Sequence, residues 1–107
     1  MVKILQLHKK SEVKNDLGKV VYEYTYLRDF DGIIDQLSAN EVLAADKLKK
    51  ESTHVLITFD VLLDVSEQDR IIDGDKQYRV QTVDNPMGLG QHLEVILYYE
   101  GVVVNDI

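Results

Sequence analysis

Cysteine is missing from all 107 residues, which excludes disulfides, thiolate nucleophiles and any zinc site built on thiolates. Such a chain suits a reducing cytoplasm, where disulfides do not persist. Long apolar runs are missing as well. The richest, "VLITFDVLL" from Val55 to Leu63, is interrupted by Asp60 and is far shorter than the roughly 20 residues of a membrane helix, so no membrane span is expected. "MVKILQLHKK" lacks the apolar centre and cleavage site of a secretion signal and is expected to be a strand. Positive charge is scarce: 12 lysines and arginines stand against 19 acids, a formal net charge of −7. Affinity for phosphate backbones comes from clustered cations that release counterions, so this balance argues against a conventional DNA or RNA binder. The densest basic cluster, Lys47, Lys49 and Lys50, reads as the cationic end of a helix.

What is present is the material of one folded domain. Apolar residues make up 45% of the chain and the 29% that are charged are spread along it, so residues 1–107 are read as a single soluble globular domain. Val2 to Leu7 alternates apolar and polar, as a strand does. "SEVKNDLGKV" then reads as a polar connection, with Asn15, Asp16 and Gly18 as turn formers. In "VVYEYTYL", Val20, Tyr22, Tyr24 and Tyr26 share one face and Val21, Glu23, Thr25 and Leu27 the other, a period of two in strong strand formers. A bend is expected near Asp31 and Gly32, after which "IIDQL" continues the strand or forms a second short one.

The pattern changes at "SANEVLAADKLKKE". Ser38 and Glu41 make an S-x-x-E capping box, and lysines gather at the far end, so a helix is expected over 39–50. Its apolar side, Val42, Leu43, Ala45 and Leu48, is thin. Further strands are expected at Thr53 to Leu63, Gln77 to Val83 and His92 to Tyr99, with a short one at Val102 to Val104. The strand from His92 is apolar on both faces, which predicts either burial on both sides or a partner. The fold class is therefore all-β, a sandwich or small barrel, with one short helix in an insert between strands.

The stretch "VSEQDRIIDGDKQYRV" from Val65 to Val80 carries seven charged side chains and invites a test as a chemical site. Aligning Gly74 with the glycine of a calcium loop places Ile71 and Val80 where oxygen ligands are required, so the match fails. Asp69 and Arg70, adjacent on an extended chain, point to opposite faces. The simpler reading is a hairpin, strand "RII", turn "DGDK", strand "QYRV". "GLGQHL" lacks the third glycine of a dinucleotide fingerprint. His92 and Glu94 form an H-x-E without the cysteines of a zinc deaminase, and His8, His54 and His92 read as separate structural histidines. No G-x-S-x-G occurs. No catalytic residue, metal ligand or cofactor is assigned.

Taken together, "DLGKVV", "GIIDQLS", Ser52-Thr53-His54, Asp69-Arg70-Ile71, Tyr78-Arg79-Val80 and Asn85-Pro86 resemble, in order and spacing, the head-completion or head-closure proteins of tailed bacteriophages, also called head–tail joining or stopper proteins. The resemblance runs from Gly18 to Gly101. It implies a small β-barrel without enzymatic activity that joins a ring of about twelve copies below the portal and adaptor, holds packaged DNA and meets the tail. DNA would pass through the channel without specific binding, and the protein would be found in the virion and, during assembly, in the host cytoplasm. The insert with Ser38, Glu41, Asp46, Lys47, Lys49 and Lys50 is expected toward the channel as a gating segment. Asp69, Arg70, Asn85, Pro86 and Leu89 are candidate subunit contacts, with an intrachain turn as the other role for Asp69 and Arg70. The free chain is expected to be a monomer or weak oligomer. Alternatives are a tail-completion or terminator protein, a stand-alone β-barrel binding module using the H-x-E strand and the 85–91 loop, and a small enzyme or metalloprotein.

Overall fold

The computed structural model describes residues 1–37, 53–61, 63–85 and 90–102. Six strands make up the fold: β1 (Lys3–Lys14), β2 (Val20–Gln36), β3 (His54–Thr58), β4 (Arg70–Asp73), β5 (Lys76–Asp84) and β6 (Leu93–Val102). They close on themselves in the order β1-β2-β3-β6-β5-β4, and every neighbouring pair is antiparallel. The result is a barrel-like all-β sheet that closes where β1 pairs with β4 over Gln6–His8 and β2 with β3 over Ile33–Gln36, and beyond those stretches the β1–β2 hairpin projects as an arm whose outer edges pair with no further strand among the described residues. No helix occurs among the described residues. The helix expected over 39–50, with Ser38, Glu41, Asp46, Lys47, Lys49 and Lys50, lies outside them, as do Pro86 and Leu89.

Alternation decides what fills the interior. Leu5 and Leu7 of β1, Phe30 of β2, Leu56 of β3, Ile71 of β4, Tyr78 and Val80 of β5, and Leu93, Val95 and Leu97 of β6 form one buried cluster, which Leu63 joins from a loop. Each such side chain stabilises the fold by about 1.5–3 kcal/mol relative to exposure.

Several boundaries differ from those the sequence predicts. β1 does not stop at Leu7 but runs on to Lys14, pairing Ser11, Glu12, Val13 and Lys14 with Glu23, Tyr22, Val21 and Val20. Only the tip is a turn: Asn15 Oδ1 accepts the N–H groups of Leu17 (2.9 Å) and Lys19 (3.0 Å), and Gly18 takes a φ of +79°. Every residue from Ser11 to Glu23 is exposed, so this arm has no buried face to produce an apolar alternation in β1. β2 is continuous through Asp31 and Gly32. Gly32 is a point of close approach instead of a bend: a Cβ there would lie 2.7 Å from Leu56 Cδ1 and 3.2 Å from Leu5 Cδ1.

β3 ends at Thr58, well before Leu63. The buried Thr58 hydroxyl donates to the carbonyl of Asp31 (2.8 Å) and accepts the N–H of Asp60 (3.1 Å), turning the chain out of the sheet. β6 extends to Val102, which pairs with Lys76, so this residue closes β6 where a separate strand was expected to begin. The charged hairpin forms as expected: Asp73 pairs with Lys76, leaving Gly74 and Asp75 as a two-residue loop in which Gly74 has a φ of +61°. Glycine at the first loop position, with no left-handed residue after it, fits a type II′ turn.

Candidate functional site

Asp69 and Arg70 are neighbours in sequence and part company in space, as residues on an extended chain do. Asp69 faces inward and is 2% exposed. Its carboxylate accepts from Lys9 Nζ (2.5 Å), the Lys10 N–H (3.1 Å) and the Ser66 N–H (2.8 Å). Its backbone is held as well, since Val80 donates to the Asp69 carbonyl at 2.8 Å. Asp69 thus ties the loop before β4 to β1 and β5, and this intrachain tie uses its carboxylate oxygens. Gln68, just before it, has a φ of +76°, a left-handed conformation that the bonds on either side hold in place.

Arg70 faces outward. The ladder places it opposite His8 on one side and Arg79 on the other; His8 in turn lies opposite Tyr26, and Arg79 opposite Tyr98. One lateral row, Tyr26–His8–Arg70–Arg79–Tyr98, therefore crosses five strands on the outer surface. Glu100 joins the two arginines, accepting from Arg70 Nε at 3.4 Å and Arg79 Nη1 at 3.5 Å. The cations also sit on aromatic faces: Arg70 lies 3.9 Å above the Tyr24 ring, Arg79 5.0 Å from Tyr98 and Lys10 4.0 Å above Tyr22. Such stacking holds a guanidinium flat against the surface. Burial, and then the nearby Arg70 charge, lower the pKa of His8 below its ordinary 6.5. The imidazole is thus largely neutral at neutral pH, and the charge of the row comes from Lys10, Arg70 and Arg79 against Glu100.

A second outer surface has the opposite character. Val2, Ile4, Ile33, Ile57 and Phe59 line a groove of about 580 Å³, with Asp29, Asp31 and Asp60 along it. Ile4 and Phe59 are each 71% exposed. Ile33 pairs with Ile57 across β2 and β3, and Ile4 with Asp31 across β1 and β2. Arg28 closes one side of the groove through a 2.6 Å bond to Asp60, and Tyr26 donates its hydroxyl to Asp29 at 2.9 Å.

The remaining sequence candidates are scattered. Asn85 Oδ1 accepts the Gly90 N–H at 3.1 Å, holding Asn85 next to Gly90. His92 lies against Phe59 and His54 against Tyr78 and Tyr99, so the three histidines have separate aromatic neighbours. Among the described residues no group of three or more His, Asp or Glu is placed to hold a metal ion. Sequence reasoning singled out Arg70 and the tyrosine face but missed their union with Arg79, Tyr98 and Glu100. It also missed the groove, whose only trace is that Ile33, Ile57 and Phe59 sit at the phase opposite to the core residues.

Comparison with known proteins places this geometry in context. A family model described as phage head completion protein matches residues 1–98. Among curated proteins none matches the chain. The fold is similar to the solution structure of protein SF1141 from Shigella flexneri 2a, with a TM-score of 0.70, 11% identity, and coverage of 91% of this chain and 90% of that one. It is also similar to a chain in the virion of a native gene transfer agent particle, with a TM-score of 0.60, 12% identity, and coverage of 95% and 96%.

Proposed function

The chain belongs to the phage head completion protein family, and on that premise we propose that it is one subunit of a ring set below the portal and its adaptor, where it closes the DNA channel and offers a surface to the tail. Its role is structural, in the virion, after assembly in the host cytoplasm. The observation that carries this reading is the extent of the family match, residues 1–98, which takes in every strand but the last residues of β6.

Physical chemistry supports the same reading. Both outer surfaces described above are made of aromatic, apolar and charged side chains suited to contact with a partner. The net charge of −7 disfavours adhesion to a passing polyanion, which suits a wall along which DNA slides. A ring of about twelve copies is the proposed closed assembly.

Particles assembled without this chain test the proposal. They should package DNA, then lose it, and carry no tails. Intact tailed particles in its absence would refute the reading. Electron microscopy of labelled chain should find it between portal and tail; label at the far end of the tail tube would make it a tail-completion protein instead.

A further inference from the structure

The two outer surfaces differ in charge and share an apolar character. One is a row of stacked tyrosines and arginines on which, among the described residues, Lys10, Arg70 and Arg79 outnumber Glu100. The other is an apolar groove on which Asp29, Asp31 and Asp60 outnumber Arg28. The groove is lined from β1, β2 and β3, whereas the two arginines stand on β4 and β5 with Tyr24 and Tyr26 of β2 at the near end of their row, so the two surfaces are built from different side chains.

We propose that these surfaces are the two halves of one subunit contact, in which the Tyr24–Arg70–Arg79–Tyr98 row of one copy seats on the Ile4–Asp31–Ile57–Phe59 groove of the next. The groove supplies flat apolar surface for the tyrosine rings and carboxylates for the guanidiniums, which pair with carboxylates as planar forks. Aromatic and arginine side chains are also the residues that anchor protein contacts. Because the two halves are different surfaces, the contact is heterologous: it repeats head to tail and generates a ring when the rotation closes. The inference rests on the proposed ring for its setting. A DNA backbone is the other chemistry that cations and aromatic rings attract, but Glu100, set between the two arginines, opposes a phosphate track and favours a partner that brings its own apolar surface.

Native cysteine is absent, so introduced thiols give an unambiguous test. Chains carrying both Phe59→Cys and Tyr98→Cys, treated at high concentration with a short thiol-specific bifunctional reagent, should yield a ladder of covalent oligomers. A mixture of the two single variants should stop at dimers, and neither single variant alone should cross-link above a control with thiols at Glu67 and Asp75. Asp31→Arg, at an exposed position, and Arg70→Glu should each lower the yield on the order of tenfold, the effect of losing about 1.4 kcal/mol. Combining them should restore part of it, and added salt should weaken the ladder.

Equal cross-linking by one single variant alone, or no ladder, would overturn the proposal. So would short DNA duplexes or single strands bound by the native chain and released by Arg70→Glu. Incorporation into particles separates this inference from the reading it rests on. Chains present in a ring but never joined through positions 59 and 98 would sink the contact alone, whereas a ladder from chains that never enter particles would sink the head role alone.

Discussion

Replacing Asp69 by asparagine keeps the shape of the side chain and reverses the sense of half its hydrogen bonding. The amide would aim N–H donors at a cluster of donors, the Lys9 ammonium and the N–H groups of Lys10 and Ser66, in a site 2% exposed. Losing one partner of a buried charged pair typically costs about 3–5 kcal/mol, so Asp69→Asn is expected to lower the urea unfolding midpoint by an amount equivalent to roughly 3 kcal/mol. A midpoint within experimental error of the native chain would mean that the tie carries no stability. Gly32 fails in a different way. Gly32→Ala inserts a methyl 2.7 Å from Leu56 Cδ1, and overpacking of this kind costs about 1–3 kcal/mol. Unchanged thermal unfolding would show that Leu5 and Leu56 yield without strain.

Among elements, the β1–β2 arm stands apart because nothing from Ser11 to Glu23 is buried. Joining Glu12 to Tyr22 through an Asn-Gly turn removes Val13 to Val21 and should change stability by less than about 1 kcal/mol, the scale of surface changes. Amides along the arm should also exchange faster than those of Leu56 or Val95, since regions with few buried contacts open at low cost. Equal protection would contradict this. The arm also marks where sequence reading stops. Periodicity locates β2 through Tyr22, Tyr24 and Tyr26, and Asp-Gly locates the β4–β5 hairpin, because these signals are local. The course of β1 beyond Leu7 leaves no such signal, since both faces of Ser11 to Lys14 meet water. The arginine row is illegible for another reason. The hairpin alone sets Arg70 beside Arg79, but His8 and Tyr26 join them only when β1 pairs with β4 across about sixty positions of sequence, and that register is a property of the closed sheet. Gly32 was read as a bend because sequence alone cannot separate a turn glycine from one that makes room for leucines.

For the molecule as a whole, two histidines make stability depend on pH. Burial, and secondarily Arg70 for His8 and Lys76 for His54, lower both pKa values below 6.5. Unfolded chains then bind more protons than folded ones between the depressed values and 6.5, and stability rises with pH across that window. The contribution of the two imidazoles is complete above about pH 6.5 and is lost as pH falls through the folded values. Urea midpoints measured at intervals from neutral pH downward should decline, and His8→Phe with His54→Phe should flatten the upper part of that decline. A midpoint that rises on mild acidification would reverse the assigned sign.

The two-residue period that sends Ile71 and Val80 inward while Arg70 and Arg79 point out also has an evolutionary consequence. Inward and outward positions interleave along the same strands yet answer to separate physical constraints, so every second residue can change while the other half preserves the fold. Chains at 11% and 12% identity share this fold, so most of its residues can change while the architecture stays.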